Sequence, residues 1–251
     1  MANFKTHITV STAAGIGYGA VAYAYFDAPI PSCLLAGGLC SVSGMLPDID
    51  SDSGVPLRES LAFAAAVVPM MLAHRVMHFG LASESLVLCG AAVYLLIRFG
   101  AAKLLKLYTV HRGMFHSIPA ALIFGELAFL LSSGSDAMRA YKAGAVVLGY
   151  LSHLVLDELY SFQVKGSRIR LKSSFGTALK MVGTGWLPNL STYAKLALLT
   201  YLTLQEPQFL RPPQIDANSR PAAQVQPSPN TPSPGARLQQ AFDDILGRLW
   251  R

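Results

Sequence analysis

Four places in this chain carry the residue types that bind divalent cations. Asp48 and Asp50 stand two apart after Pro47, and His111 and His116 flank Arg112 and Gly113 in Thr109-Val-His-Arg-Gly-Met-Phe-His-Ser117. His153 and Asp157 are four apart in Leu151-Ser-His-Leu-Val-Leu-Asp157, and His7 follows Thr6 near the N-terminus. Imidazole mixed with carboxylate suits zinc, with manganese or iron as the alternatives. Seven candidate ligands exceed one tetrahedral site, so one ion and two ions both remain open. Cation sites of this kind activate a water and clamp a phosphoryl or carbonyl oxygen.

Each spacing makes a geometric demand. Residues i and i+4 share a helix face, so His153 and Asp157 can serve one point. An Asp in an apolar span costs about 2.5–3.5 kcal/mol on insertion scales, and such residues usually face a cavity and a partner. The plainer alternative is a His–Asp hydrogen bond that ties helices together. In extended backbone Asp48 and Asp50 project to the same side while Ile49 points away; the alternative is a solvated acidic turn. Asp48, Asp50, Asp52 and Glu59 also imitate a calcium loop, but Ser53 stands where that loop needs glycine and Pro56 interrupts it. His111 and His116, five apart, sit well off a common helical face and converge only if the backbone turns between them. Gly113 permits that turn, Ser117 suits an N-cap and Pro119 fits a first helical turn, which predicts a helix-loop-helix. Arg112 can grip an anionic group beside a metal or answer a lipid phosphate. His7 alone reads as an interfacial residue. His74 and His78 share a face and read as structural, and Glu126 is intramembrane with no identifiable partner.

These residues need elements to carry them. The 251 residues are 52% hydrophobic and only 14% charged, with a mean hydropathy of +0.40. Soluble domains carry about 25% charged residues, so the composition belongs to a membrane protein. Apolar runs at 8–26, 32–46, 61–81, 85–105, 118–132 and 143–159 predict an all-α bundle of about six spans. A weaker run at 190–204 reads equally as a span or a surface helix. Residues 1–205 thus form the transmembrane domain, and 206–235, rich in Pro, Gln, Ser and Asn, a disordered linker. In 236–251 Leu238, Phe242, Ile245, Leu246 and Leu249 line one helical face, an amphipathic segment for the membrane surface or a protein partner. Cys33, Cys40 and Cys89 lie in apolar runs without a CxxC pair and read as buried free thiols. The first run lacks a cleavage site and reads as retained.

Alternating topology places His7, Asp48, Asp50, His111, His116, His153 and Asp157 at one membrane face. Lys5, Arg58, Lys103, Lys106, Arg112, Lys165, Arg168, Arg170, Lys172 and Lys180 fall on that face; Arg139, Lys142 and Arg75 fall toward the other. The excess of Lys and Arg marks the site side as cytoplasmic. The net charge of +6 is thereby explained by anionic lipid, and no nucleic-acid partner is expected.

Thr6-His7, Leu46-Pro-Asp-Ile-Asp50, His111-Arg-Gly-Met-Phe-His116-Ser117 and Gly149-Tyr-Leu-Ser-His-Leu-Val-Leu-Asp157, in this order, resemble the YdjM-like membrane-bound metal-dependent hydrolases over residues 1–160. The resemblance implies a multi-pass protein of the bacterial inner membrane with a helical hydrolase core. Its H-x-x-x-D helix is similar to that of the all-helical zinc-dependent phospholipase C class, which cleaves phosphoesters. Carried over, His7, Asp48, Asp50, His111, His116, His153 and Asp157 are the metal ligands. The expected activity is metal-activated hydrolysis of a small-molecule or lipid phosphoester, with Asp48 or Asp50 as base and Arg112 steadying the phosphate. The rival expectations are a metal-ion transporter and a non-catalytic membrane scaffold with a structural metal.

Overall fold

The computed structural model describes residues 3–50, 54–77, 81–101, 103, 114–165, 168–171, 179–183 and 185–205, with backbone only at 50, 74, 75, 162–165 and 168–171. Asn3 opens the first helix, α1 (Phe4–Phe26), by accepting the Thr6 N–H at 2.8 Å. The helix stops where Asp27 enters the left-handed region at φ 49°. Helix α2 (Ile30–Ser43) starts with a proline in its first turn and leads into a 3-10 turn, Leu46–Asp50. Helices α3 (Val55–Met77) and α4 (Ser83–Leu95) pack against each other, and α4 runs on into a π-helical turn, Leu96–Ala101. Ser117 caps α5 (Ile118–Leu131) by accepting the Ala120 N–H at 3.3 Å, as the sequence predicts. Ser135 caps α6 (Asp136–Leu159) in the same manner. Strands β1 (Phe162–Lys165) and β2 (Arg168–Leu171) form an antiparallel hairpin with Phe162 opposite Leu171, a small departure from the all-α expectation. Last comes α7 (Trp186–Gln205), which packs on α5.

Helix α6 is the hub, touching α1, α2 and α5. The close crossings come from missing side chains. A Cβ on Gly15 would lie 2.6 Å from the Gly37 carbonyl, one on Gly44 would lie 2.5 Å from Ser11 Cβ, and one on Gly149 would overlap the Cys40 carbonyl. Glycine lets backbones approach this closely, the usual device of helix packing in lipid. Ala120 and Ala121 pack with Tyr150 and Leu154, and a second cluster of small buried residues, Ala36, Cys40 and Ala145, packs against Tyr18 and Tyr141.

The expectation of about six spans meets a finer picture. Two described helical stretches, Val55–Ala73 and Ser83–Ala101, are long and apolar enough to cross a membrane by themselves. Helices α2 and α5 have 14 residues each, about 21 Å at 1.5 Å per residue against a hydrocarbon core of about 30 Å. Helix α1 is long enough but diluted by Gly, Ser, Thr and Tyr, and α6 carries Asp136, Arg139, Lys142, Asp157 and Glu158. The run at 190–204 lies within a 20-residue helix. Cys33 and Cys40 are buried as expected, whereas Cys89 is exposed, because α4 has no buried residue at all. Residues 206–251, with the predicted linker and amphipathic segment, lie outside the described residues, as does His78.

Candidate metal centre

The candidate ligands gather at the end of the bundle where α1 and α5 begin and α2 and α6 end. His7 belongs to the inward stripe of α1 that continues through Ser11, Gly15 and Gly19. It is therefore buried, not the interfacial residue that its position suggests. His153 and Asp157 stand one turn apart near the end of α6, both buried. Asp48 comes from the 3-10 turn after α2, and His116 from the short turn before α5.

Four separate segments thus deliver five side chains to one point. His7 Nε2 lies 3.3 Å from Asp157 Oδ1, and His116 Nε2 lies 3.2 Å from Asp48 Oδ1. His153 Nε2 sits between the carboxylates, 3.7 Å from Asp48 Oδ1 and 3.7 Å from Asp157 Oδ2. The His7 and His153 rings stack at 3.6 Å, and His116 meets His153 edge-on at 5.5 Å. Donor atoms of His7, Asp48 and His153, and those of His116, His153 and Asp157, each lie within 4.8 Å of one another. His153 belongs to both groups, so they overlap in one pocket.

The ring of His153 has its orientation fixed from behind. Its Nδ1 is 2.7 Å from the Gly44 carbonyl, and since a carbonyl only accepts, Nδ1 carries the proton. Nε2 is left as a lone-pair donor aimed at the pocket, the arrangement that metal-binding histidines adopt. Burial acts to raise the pKa of Asp48, but the adjoining His116 together with electrostatic attraction to the His153 and His7 imidazoles outweighs it and holds the carboxyl below its usual range. Asp48 keeps 30% of its side chain exposed, so the pocket opens to solvent on that side.

The donor set fits a divalent cation. Nε2 of His7, His116 and His153 is buried without a well-formed hydrogen bond. Leaving such atoms unsatisfied costs about 1–3 kcal/mol each, and a bound cation would satisfy all three.

Five of the predicted ligands, His7, Asp48, His116, His153 and Asp157, are brought together. His111, Arg112 and Asp52 lie outside the described residues, and so does the side chain of Asp50. The extended geometry expected for Asp48 and Asp50 gives way to a 3-10 turn. A 3-10 turn has about three residues per turn and lacks the two-residue alternation on which that expectation rested. Ile49, between them, is buried.

Two supports escaped the sequence reading. The Gly44 carbonyl bears on His153 from 109 residues away, and the Tyr150 hydroxyl donates to the Phe115 carbonyl, bracing the turn that holds His116. Tyr150 lies three residues before His153, on the same helical face, which was the available signal. Glu126 also gains its partner, accepting a hydrogen bond from Thr200 Oγ1 at 2.7 Å across the α5–α7 seam.

A family model described as YdjM inner membrane protein matches residues 1–179. Neither a curated protein nor a solved structure matches the chain.

Proposed function

We propose, from the premise that this chain belongs to the YdjM inner membrane protein family, that it is a multi-pass, metal-dependent hydrolase of phosphoesters. The observation that carries the reading is the meeting of three buried imidazoles and two carboxylates, from four segments, at one end of the bundle. A divalent cation, zinc first by its donor set, supplies Lewis acidity toward a phosphoryl oxygen and acidifies a water when bound. His7, His116, His153, Asp48 and Asp157 hold it, and His111 adds a sixth candidate donor. The Gly44 carbonyl, by accepting a hydrogen bond from His153 Nδ1–H, keeps that ring in its ligating tautomer. Asp50 takes the proton of the attacking water, since Asp48 is engaged with two imidazoles. Arg112, whose planar fork matches a phosphate, orients the substrate.

About six helices cross the membrane in this reading, with the site at the end where α1 and α5 begin and α2 and α6 end. The excess of Lys and Arg at the site end orients it to the cytoplasm. A phosphoester in the cytoplasmic leaflet then lies at the height of the exposed edge of Asp48. A metal-ion transporter would need ligands near the midplane, whereas the five described donors sit at one end.

The test is elemental analysis of detergent-purified protein with hydrolysis of a soluble phosphodiester. Wild type should carry a stoichiometric transition metal and turn over. The double variant His153→Ala, Asp157→Ala should lose both, and retention of metal and turnover by that variant would refute the assignment.

A further inference from the structure

We propose that Asn189 is a positioning residue for the His116 ligand, acting through a backbone strap at residues 180–183, a role that rests on the cation reading above. A ligand on a turn is placed only as well as its supports. From within the bundle, Tyr150 holds the Phe115 carbonyl and Ser117 Oγ donates to the Met114 carbonyl at 2.5 Å. From outside, the strap closes over the same turn. The Ile118 N–H donates to the Lys180 carbonyl at 3.2 Å, and Gly183 lies so close to Met114 that an added Cβ would be 3.1 Å from its sulfur.

The strap lies outside every described helix and strand, so its position is set by what grips it. Asn189, in the first turn of α7, does so with both ends of its amide. Its Oδ1 accepts the Gly183 N–H at 2.8 Å, and its Nδ2 donates to the Gly183 carbonyl at 2.8 Å. A side-chain amide that both accepts from and donates to one residue fixes the orientation of that residue's backbone. Tyr193, one turn on, donates from its hydroxyl to the Met181 carbonyl at 2.9 Å. All these groups lie beyond residue 179, where the family match ends. The brace is a feature of this chain that the family model does not cover. The Thr200–Glu126 bond joins α7 to α5 far along the helix from the strap and provides a control.

The experiment compares wild type with Asn189→Ala, Asn189→Asp and Thr200→Val in detergent. Amide exchange at Ile118 is read without metal, and cobalt titration is read by visible absorption. Asn189→Ala should speed Ile118 exchange at least about 10-fold, weaken cobalt binding by about 10-fold, and alter the cobalt spectrum, as loss of a ligand's support does elsewhere. Asn189→Asp keeps the acceptor for the Gly183 N–H and should fall between; it carries the test should the alanine variant not fold. Thr200→Val should match wild type in both readouts. Unchanged Ile118 exchange or unchanged cobalt affinity in the Asn189 variants overturns the role, as does a Thr200→Val effect of equal size. Failure of wild type to take up cobalt would instead sink the metal reading, and Ile118 exchange would still decide whether Asn189 holds the strap.

Discussion

The α3–α4 hairpin and the bundle of α1, α2, α5 and α6 solve opposite problems. Among the described residues, both stretches apolar enough to cross a membrane unaided lie in the hairpin, where Met70, Val87, Leu88, Leu96 and Phe99 are all well exposed. The bundle buries His7, Ser11, Ser43, His116, His153 and Asp157 instead, behind seams of glycine and alanine. High hydropathy therefore marks the part with an exposed apolar face, and small or polar residues mark the part that holds the candidate site. In an apolar solvent the gain comes from close backbone approach and paired polar groups, since leucine packs as well against lipid as against protein.

That contrast breaks most visibly at glycine. Gly149→Ala, whose new Cβ would overlap the Cys40 carbonyl, should lower stability by about 3 kcal/mol in denaturant unfolding in detergent. Gly90→Ala on α4, with Pro69 Cβ no nearer than 3.9 Å, should be neutral or gain up to about 1 kcal/mol. Equal responses would mean that the two regions do not differ in packing. Next in size is a charge on the hairpin. Val87→Lys, at a site 70% exposed and toward one end of the stretch, should cost up to about 2.5 kcal/mol of membrane insertion, read from the inserted fraction of a reporter fusion. Full insertion would place that face in water.

A smaller effect separates a polar group in each region. Ser11 donates to the Ser41 carbonyl at 2.8 Å, so Ser11→Ala should cost about 1 kcal/mol. Cys89→Ala, on the exposed face of α4, should stay within about 0.5 kcal/mol by the same unfolding measurement. The smallest signal is the acid limb of metal-free stability. The lowered carboxyl of Asp48 favours the folded state above its unfolded value of about 3.9, and that contribution is lost as pH falls through the lower folded value. Asp48→Asn should flatten melting temperature against pH in that acid range; an unchanged slope would mean that the imidazoles do not hold Asp48 ionised.

The sequence by itself determined the donor types, the shared face of His153 and Asp157, the Ser117 cap and the common end at which the described ligands lie. Each follows from composition, helical period or the alternation of apolar runs with polar turns, and these are properties of local chain. Tertiary structure alone decided that His7 turns inward to stack on His153, that Asp48 sits on a 3-10 turn, and that Gly44 selects the His153 tautomer. It also decided that Thr200 answers Glu126 and that Asn189 reaches Gly183. Those facts depend on how closely helices cross, and the crossing distance is set where Gly15, Gly44 and Gly149 meet the backbone or side chains of residues far away in the chain. A period shows which way a side chain faces along its own helix, but contact across a seam exists only once both helices are in place.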